Sequence, residues 1–345
     1  MRIVIFKLNH LGDNVVFVPV VQGFRRSWPD LKITLLTTPN EAELYGGPLG
    51  PQEVLACPRQ AFNKSYRRPW ELAWWMWRIR RRRPDACLIS FDQGIAARIV
   101  AKFSGARVRI GGNLDPVRVA SSLTEEVSLP EDGRPVTWNW RIARAIARSF
   151  GREEGWPADP PPPDLSHLLA GNARTPGGRK RVVVHSGASR PITQWPAESF
   201  ASVAASLSRD FDVVWISHGG TTGPAPEGTT PAAVTSLGEF SGWLRSADLF
   251  LGNNSGPMHL ANALGCPGVA VTGPTALGWD PYWHRELWTV LRHPDLYCAP
   301  CEKPNKVLAG CVNFESPMAC LKYWTGEKVE AACRARLDRP RGSPP

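Results

Sequence analysis

Apolar residues in this chain come in short runs, each closed by a polar or glycine-rich turn. RIVIFKL (2–8), LKITLLT (31–37) and DACLISF (85–91) are runs of strand length, suited to strands covered on both faces. Elsewhere the period lengthens to that of a helix. Residues 14–27 read this way, with Pro19 early in the helix or kinking it, as does GIAARIVAKFSG (94–105), ending on Gly105. WNWRIARAIARSF (138–150) is a basic amphipathic helix that closes this half. GREEGWPADPPPPDL (151–165) follows. Its four consecutive prolines can continue neither a helix nor a central strand, so a stiff extended spacer is expected.

The rhythm then restarts. RVVVHSG (181–187), DVVWIS (212–217), DLFLGNN (248–254) and PGVAVTG (267–273) read as strands. PAESFASVAASLSR (196–209), FSGWLRSA (240–247) and GPMHLANALG (256–265) read as the helices between them. Strands alternating with helices predict an α/β fold of two Rossmann-like, doubly wound domains, 1–158 and 180–345, joined by a proline-rich segment over 159–179. Ligands in such sheets bind beyond the carboxyl ends of the strands, so two halves facing each other predict an interdomain cleft.

Bulk numbers narrow the class. A chain of 345 residues exceeds what one core usually spans, and 43% hydrophobic content suits a globular protein. No apolar stretch approaches a membrane span. The N-terminus opens on a strand-like run without the features of a secretory signal, which places the protein in the cytoplasm as an expectation. The net charge of +10 favours anionic partners. No zinc-finger, RNP or helix-turn-helix pattern is present, so nucleic acid is not expected among them.

Four segments carry candidate chemistry. In NHLGDN (9–14), a carboxylate sits in a tight glycine loop just after the first strand; Asp13 either caps the following helix or is a reactive group at the mouth of a cleft. In LFLGNNSGPMHLANALGCP (249–267), a strand meets a helix opening at Gly256 and Pro257. The unpaired N–H groups of that helix start suit a diphosphate, with Ser255 offering a hydroxyl and His259 lying one turn in. An ordinary strand-turn-helix with Ser255 as cap fits equally well. HSGASRPITQWP (185–196) is the matching loop, where Ser186, Gly187, Ser189 and Arg190 either line a phosphate site or form a plain connection. Cys298, Cys301, Cys311 and Cys320 fall within 23 residues, a donor set suited to a structural tetrahedral zinc or iron site, while free thiols or disulfides are the alternative. Pro300 and Pro304 favour a tight turn between these cysteines.

PWELAWWMWRIRRRRPD (69–85) sets four tryptophans beside five arginines. This suits either a core-packed helix with a solvated basic end or a peripheral contact with an anionic inner-membrane face. Trp279, Asp280 and Tyr282 follow the last core strand.

Three of these stretches, RIVIFKLNHLGDNVVFVPVVQGFRRSWPD, HSGASRPITQWPAESF and GNNSGPMHLANALGCP, together resemble glycosyltransferase family 9, the family of ADP-heptose:lipopolysaccharide heptosyltransferases. The likeness covers most of the chain in the right order. It implies a GT-B fold with the nucleotide sugar in the C-terminal half and the acceptor in the N-terminal half. It also implies inverting transfer of a sugar, heptose from ADP-heptose, without a catalytic metal. The acceptor implied is a cell-surface glycan such as lipopolysaccharide core; a protein hydroxyl or small metabolite, or a non-catalytic nucleotide-sugar-binding role, is the alternative.

Carried over residue by residue, the family's LGD motif matches Leu11, Gly12 and Asp13, which makes Asp13 the expected catalytic base and puts Gly12 beside it in the donor set. Ser186, Gly187, Ser189, Arg190, Asn254, Ser255, Gly256, Pro257, Met258 and His259 complete the expected donor-binding residues, with Thr193. Two positions depart from the pattern. Asn254 stands where the family usually has Asp, and Thr193 where it often has a phosphate-contacting Lys, so Arg190 or a basic residue of the other half is expected to supply the charge. The cysteine cluster resembles the iron-binding finger of some protein-modifying members, which carry an N-terminal extension this sequence does not show.

Overall fold

The computed structural model describes residues 1–113, 122–169, 178–217, 223–303 and 306–339. Pro304 lies outside them. The chain divides into two compact units, Met1–Asp164 and Leu165–Pro345.

The first unit runs β1 (Arg2–Lys7), α1 (Leu11–Val15), α2 (Val18–Ser27), β2 (Lys32–Thr37), β3 (Glu53–Ala56), α3 (Gln60–Asn63), α4 (Pro69–Arg80), β4 (Ala86–Ile89), α5 (Ile95–Phe103), β5 (Val108–Gly112), β6 (Glu125–Val127) and α6 (Pro135–Ser149). The strands form one parallel sheet in the order β3-β2-β1-β4-β5-β6. β1 is central, and Ile3 to Phe6 are almost wholly buried, as an unbroken apolar run requires. The helix expected over 14–27 is two helices with a break at Val16 and Phe17. The break puts Pro19 in the first turn of α2, where its missing N–H costs nothing.

Residues 151–164 return to this unit. Trp156 packs on Phe24 and Trp140, at ring distances of 5.1 and 4.7 Å. The Gln22 side chain donates to the Asp164 carbonyl and accepts from its N–H. The consecutive prolines therefore lead into a tail bound on its own domain before the second unit starts.

The second unit contains β7 (Arg181–His185), α7 (Ala197–Leu207), β8 (Asp212–Ser217), β9 (Thr230–Ala233), α8 (Leu237–Ser246), β10 (Leu249–Asn253), α9 (Gly256–Ala263), β11 (Gly268–Val271), β12 (Trp288–Leu291), α10 (Ala319–Lys322) and α11 (Gly326–Leu337). Its sheet is also parallel, in the order β12-β11-β10-β7-β8-β9. Counted from its own first strand, that is the same 3-2-1-4-5-6 winding as the first sheet, the doubly wound dinucleotide-binding order. The order reverses between β1 and β4 in one unit and between β7 and β10 in the other. The loops leaving those four strands are NHLGD, SFDQG, HSGASR and NSG. Three of the four are segments that the sequence singles out.

Candidate functional site

In the first unit the switch-point loops are bound to each other by a buried network. Lys7, the last residue of β1, is fully buried; its ammonium pairs with Asp92 and donates to Ser90 Oγ at 3.2 Å. It also lies over the rings of Phe17 and Phe91, at 5.5 and 5.8 Å. The Gln93 amide donates to Asn9 Oδ1 and to Asp92 Oδ1, and its oxygen accepts from the Leu8 N–H. Asn14 donates to the carbonyls of Asn9 and His10 and accepts from Thr37 and Tyr45 through Oδ1, holding the glycine loop closed from the other side.

Asp13 sits in this cradle at the third position of α1. Its Oδ2 accepts from the His10 N–H at 3.2 Å, so it does cap the short helix, with a second oxygen left for other work. Burial pushes its carboxyl up from the usual 3.8 to about 6; Lys7 opposes that rise, Asp92 adds to it, and the His10 N–H and Arg59 oppose it further. Arg59 is itself hydrogen-bonded to the His10 ring. A carboxylate of this kind is still largely ionised at neutral pH yet basic enough to accept a proton. Sequence patterning missed Lys7, Asp92 and Gln93. A lysine inside the apolar run RIVIFKL was the available signal, since a buried ammonium requires an anion.

In the second unit Asn253 does the corresponding work. Fully buried at the end of β10, it accepts from the Trp195 N–H at 2.8 Å and donates to the Ser186 carbonyl at 2.8 Å. The β7 loop, the β10 turn and the start of α7 are thereby fixed to one side chain. Ser255 occupies the N-cap position of α9, but its hydroxyl bonds the Asn253 carbonyl and not the helix. Pro257 has no N–H, so by helix geometry the amides of Gly256 and Met258 are the first-turn donors without an intrahelical acceptor. His259 is buried beside Trp279, at 5.7 Å between rings, and burial depresses its imidazole to about 4. It is therefore a neutral hydrogen-bonding group at pH 7. Asn254 donates to Asp280 at 3.0 Å, and Asp280 is paired with Arg292 at 2.6 Å. The carboxylate missing at 254 thus has a counterpart at 280.

The remaining residues expected to bind the donor divide. Ser186 and Gly187 are buried in the turn, and Ser189 is exposed. Thr193 is buried, with its hydroxyl donating to the Arg190 carbonyl. Arg190, expected to replace the absent lysine, is engaged at both terminal nitrogens by the buried carboxylate of Glu302 and also donates to the Leu308 carbonyl. Glu302 in turn accepts from the Leu308 N–H, and its own N–H donates to Pro274. The segment that carries the cysteines is thereby tied to the loop between β7 and α7.

Cys298, Cys301, Cys311 and Cys320 all line one cavity, with Ile192 of the loop between β7 and α7 also in its wall. None is in a disulfide. The Met318 N–H donates to Cys311 Sγ at 3.4 Å, and the Asn313 amide lies 3.9 Å from Cys298 Sγ. Burial raises the Cys320 thiol to about 11, with Cys301, Cys311 and Cys298 adding to the rise, so the four sulfurs feel one another. Among the described residues no three His, Cys, Asp or Glu side chains are already drawn together at metal-holding geometry. The donor chemistry and shared cavity fit a tetrathiolate ion once the sulfurs close on it. The other cysteines, 57, 87, 266 and 333, are core residues.

Residues 78–311 match the model of glycosyltransferase family 9 (heptosyltransferase). Lipooligosaccharide heptosyltransferase 2 of Campylobacter jejuni is 29% identical over 141 residues, covering 36% of this chain and 43% of the relative, so the match spans less than half of that protein. The solved structure of E. coli heptosyltransferase WaaC with ADP superposes with a TM-score of 0.70 at 15% identity, over 97% of this chain and 100% of that one. The iron-containing dodecameric heptosyltransferase TibC of E. coli, in complex with ADP-D-β-D-heptose, superposes with a TM-score of 0.60 at 14% identity, over 97% of this chain and 75% of that one. At these identities the structural likenesses establish the fold, which is of the GT-B type.

Proposed function

This chain belongs to glycosyltransferase family 9, and from that premise we propose that it transfers heptose from ADP-heptose to a lipopolysaccharide-type glycan acceptor, inverting the anomeric centre. The observation that carries the reading is the pairing of chemistries at the two switch points. One holds a carboxyl raised to about 6 in a braced loop, and the other an uncapped helix start beside a neutral histidine.

In this mechanism Asp13 takes the proton of the acceptor hydroxyl as that oxygen attacks the anomeric carbon. The bond from carbon to diphosphate oxygen breaks with the electrons going to ADP. Charge developing on the leaving diphosphate is met by the amides of Gly256 and Met258 and by the neutral His259. Asn253 and the Asn9–Gln93 contact hold the two loops in place, so little reorganisation accompanies the transfer. The ADP of the WaaC structure and the ADP-heptose of the TibC structure support the donor. The name of the Campylobacter relative supports the acceptor class.

The four cysteines would hold one structural ion, zinc or iron, a reading favoured by their shared cavity and by the iron of TibC. Bound there, the ion supplies a cross-link within residues 298–320, and four thiolates leave it no open position.

The test is direct. Wild-type protein is incubated with ADP-heptose and a heptose-deficient lipopolysaccharide core, and the product is read by mass spectrometry with the linkage read by NMR. One added heptose of inverted configuration supports the proposal. Transfer from another nucleotide sugar only, or retention of configuration, contradicts it.

A further inference from the structure

Helix α4 has two hydrophobic sides, and only one is used by the fold. Trp75 and Ile79 are buried in the first unit's core, with Leu72 and Met76 packed against it. Trp70, Trp74 and Trp77 stand on the other side, 66, 50 and 53% exposed. The spacing i, i+4, i+7 puts these three indoles in one stripe along the helix. Burial of the core needs none of them, and three large aromatic rings left in water at one place mark a contact surface.

The charge around the stripe says what covers it. Residues 67–83 hold seven arginines and one acid, Glu71, for a net charge of +6. Arg68 already pairs with Glu71, and Arg82 with Glu53. The Arg78 guanidinium stacks over Trp74 at 4.5 Å, and Arg81 over Trp77 at 4.8 Å. Two of the three exposed indoles, Trp74 and Trp77, thus carry a guanidinium over the ring. A second copy of this face would bring like charges together. A bilayer surface rich in anionic lipid meets both halves of the pattern: indoles settle at the level of the headgroups while guanidinium groups bind the phosphates.

We propose that α4 is a membrane-surface anchor, lying in the plane of an anionic bilayer with Trp70, Trp74 and Trp77 in the headgroup layer. The inference rests on this helix alone and holds whichever sugar is transferred. No helix among the described residues is long and apolar enough to cross a membrane, so the contact is interfacial.

Flotation of the full chain with two kinds of vesicle tests it: phosphatidylcholine alone, and phosphatidylcholine with phosphatidylglycerol. The protein floats with the second and stays behind with the first, and binding weakens as salt is raised. The triple variant Trp70→Ser, Trp74→Ser, Trp77→Ser loses at least about tenfold in partitioning, and Arg81→Glu loses severalfold. Both keep the wild-type melting temperature and ADP affinity, because the changed side chains are exposed and away from the switch-point loops. Should the triple variant unfold, Arg81→Glu and the single Trp74→Ser decide the matter. Equal binding to both vesicles, no binding to either, or variants that float like wild type would overturn the proposal. So would a concentration-dependent oligomer that only the tryptophan variant loses, since that would make the stripe a contact between copies.

Discussion

Removing Lys7 or Asp92 should move the pH dependence of transfer in opposite directions. In the proposed mechanism Asp13 must be ionised to take a proton, and burial raises its carboxyl to about 6. In wild-type protein kcat/KM therefore falls about tenfold per pH unit below about pH 6 and is level above it. Burial, the largest influence, is common to the variants compared, so what changes is the neighbouring charge. A unit charge in such a partly wet pocket is worth about 1–2 kcal/mol, or about one pH unit. Asp92→Asn removes the anion that raises Asp13 and leaves Lys7 facing it, so the acid limb drops by about one pH unit. Lys7→Met removes the cation and leaves Asp92, so the limb rises by about as much. Each variant strands a buried charge, Asp92→Asn the Lys7 ammonium and Lys7→Met the Asp92 carboxylate, at a cost of about 3–5 kcal/mol, so rates of both are taken at low temperature with folding checked by circular dichroism. The other groups that act on Asp13, the N–H of His10 at the start of its own helix and the more distant Arg59, stay in place in both variants. The assay is ADP release across pH at subsaturating acceptor. Limbs that stay put in both variants, or move the same way, would refute the assignment of the limb to Asp13.

Other outcomes follow from the same structure. Asp13→Asn should raise stability at pH 8 by up to about 3 kcal/mol and leave it nearly unchanged near pH 3. A carboxyl raised from 3.8 to about 6 in the folded state carries a penalty that is absent below 3.8 and complete above 6; denaturant titration at the two pH values checks this. Because His259 is held near 4 by burial, ADP affinity should show no step attributable to it between pH 8 and 5; an affinity that rises steeply on acidification and flattens in His259→Asn would contradict the neutral-imidazole role. Glu302→Gln leaves Arg190 without its buried partner, and should cost about 2–4 kcal/mol by thermal melting and weaken ADP binding severalfold, because the loop proposed to hold the donor loses its tie. Elemental analysis should find about one zinc or iron per chain, lost in Cys298→Ser with Cys311→Ser along with several degrees of melting temperature; a metal-free, equally stable wild type would end that reading.

The winding of both sheets was legible only in part. Central parallel strands such as RIVIFK and RVVVH are covered on both faces, so their apolar runs stand out in the sequence. Of the four edge strands, β12 is apolar, WTVL, but β3, β6 and β9 read EVLA, EEV and TPAA, which no hydrophobic pattern separates from loops. Without them the 3-2-1-4-5-6 order cannot be inferred, and neither can the switch points. At the site, Asp13 and the Gly256 helix start were visible because a glycine turn beside a strand is a local signal. Their supports were not: Gln93 meets Asn9 across 84 residues, and Glu302 meets Arg190 across 112. The pair Asn253 and Asn254 shows the limit most plainly. In sequence they are twins, yet the first faces inward to bind the Ser186 loop and the second turns to Asp280. Arg190 looked available for phosphate because its counter-ion lies in a distant segment.

One experiment bears on proton removal by Asp13 more directly than any other: titrating ADP into the Asp13→Asn protein by calorimetry and measuring heptose transfer on the same sample. ADP should bind within about twofold of wild type, since the cradle proposed for it lies in the other unit, while turnover should fall by about 10²–10⁴. Transfer within tenfold of wild type, at undiminished ADP affinity, would mean that some other group takes the proton.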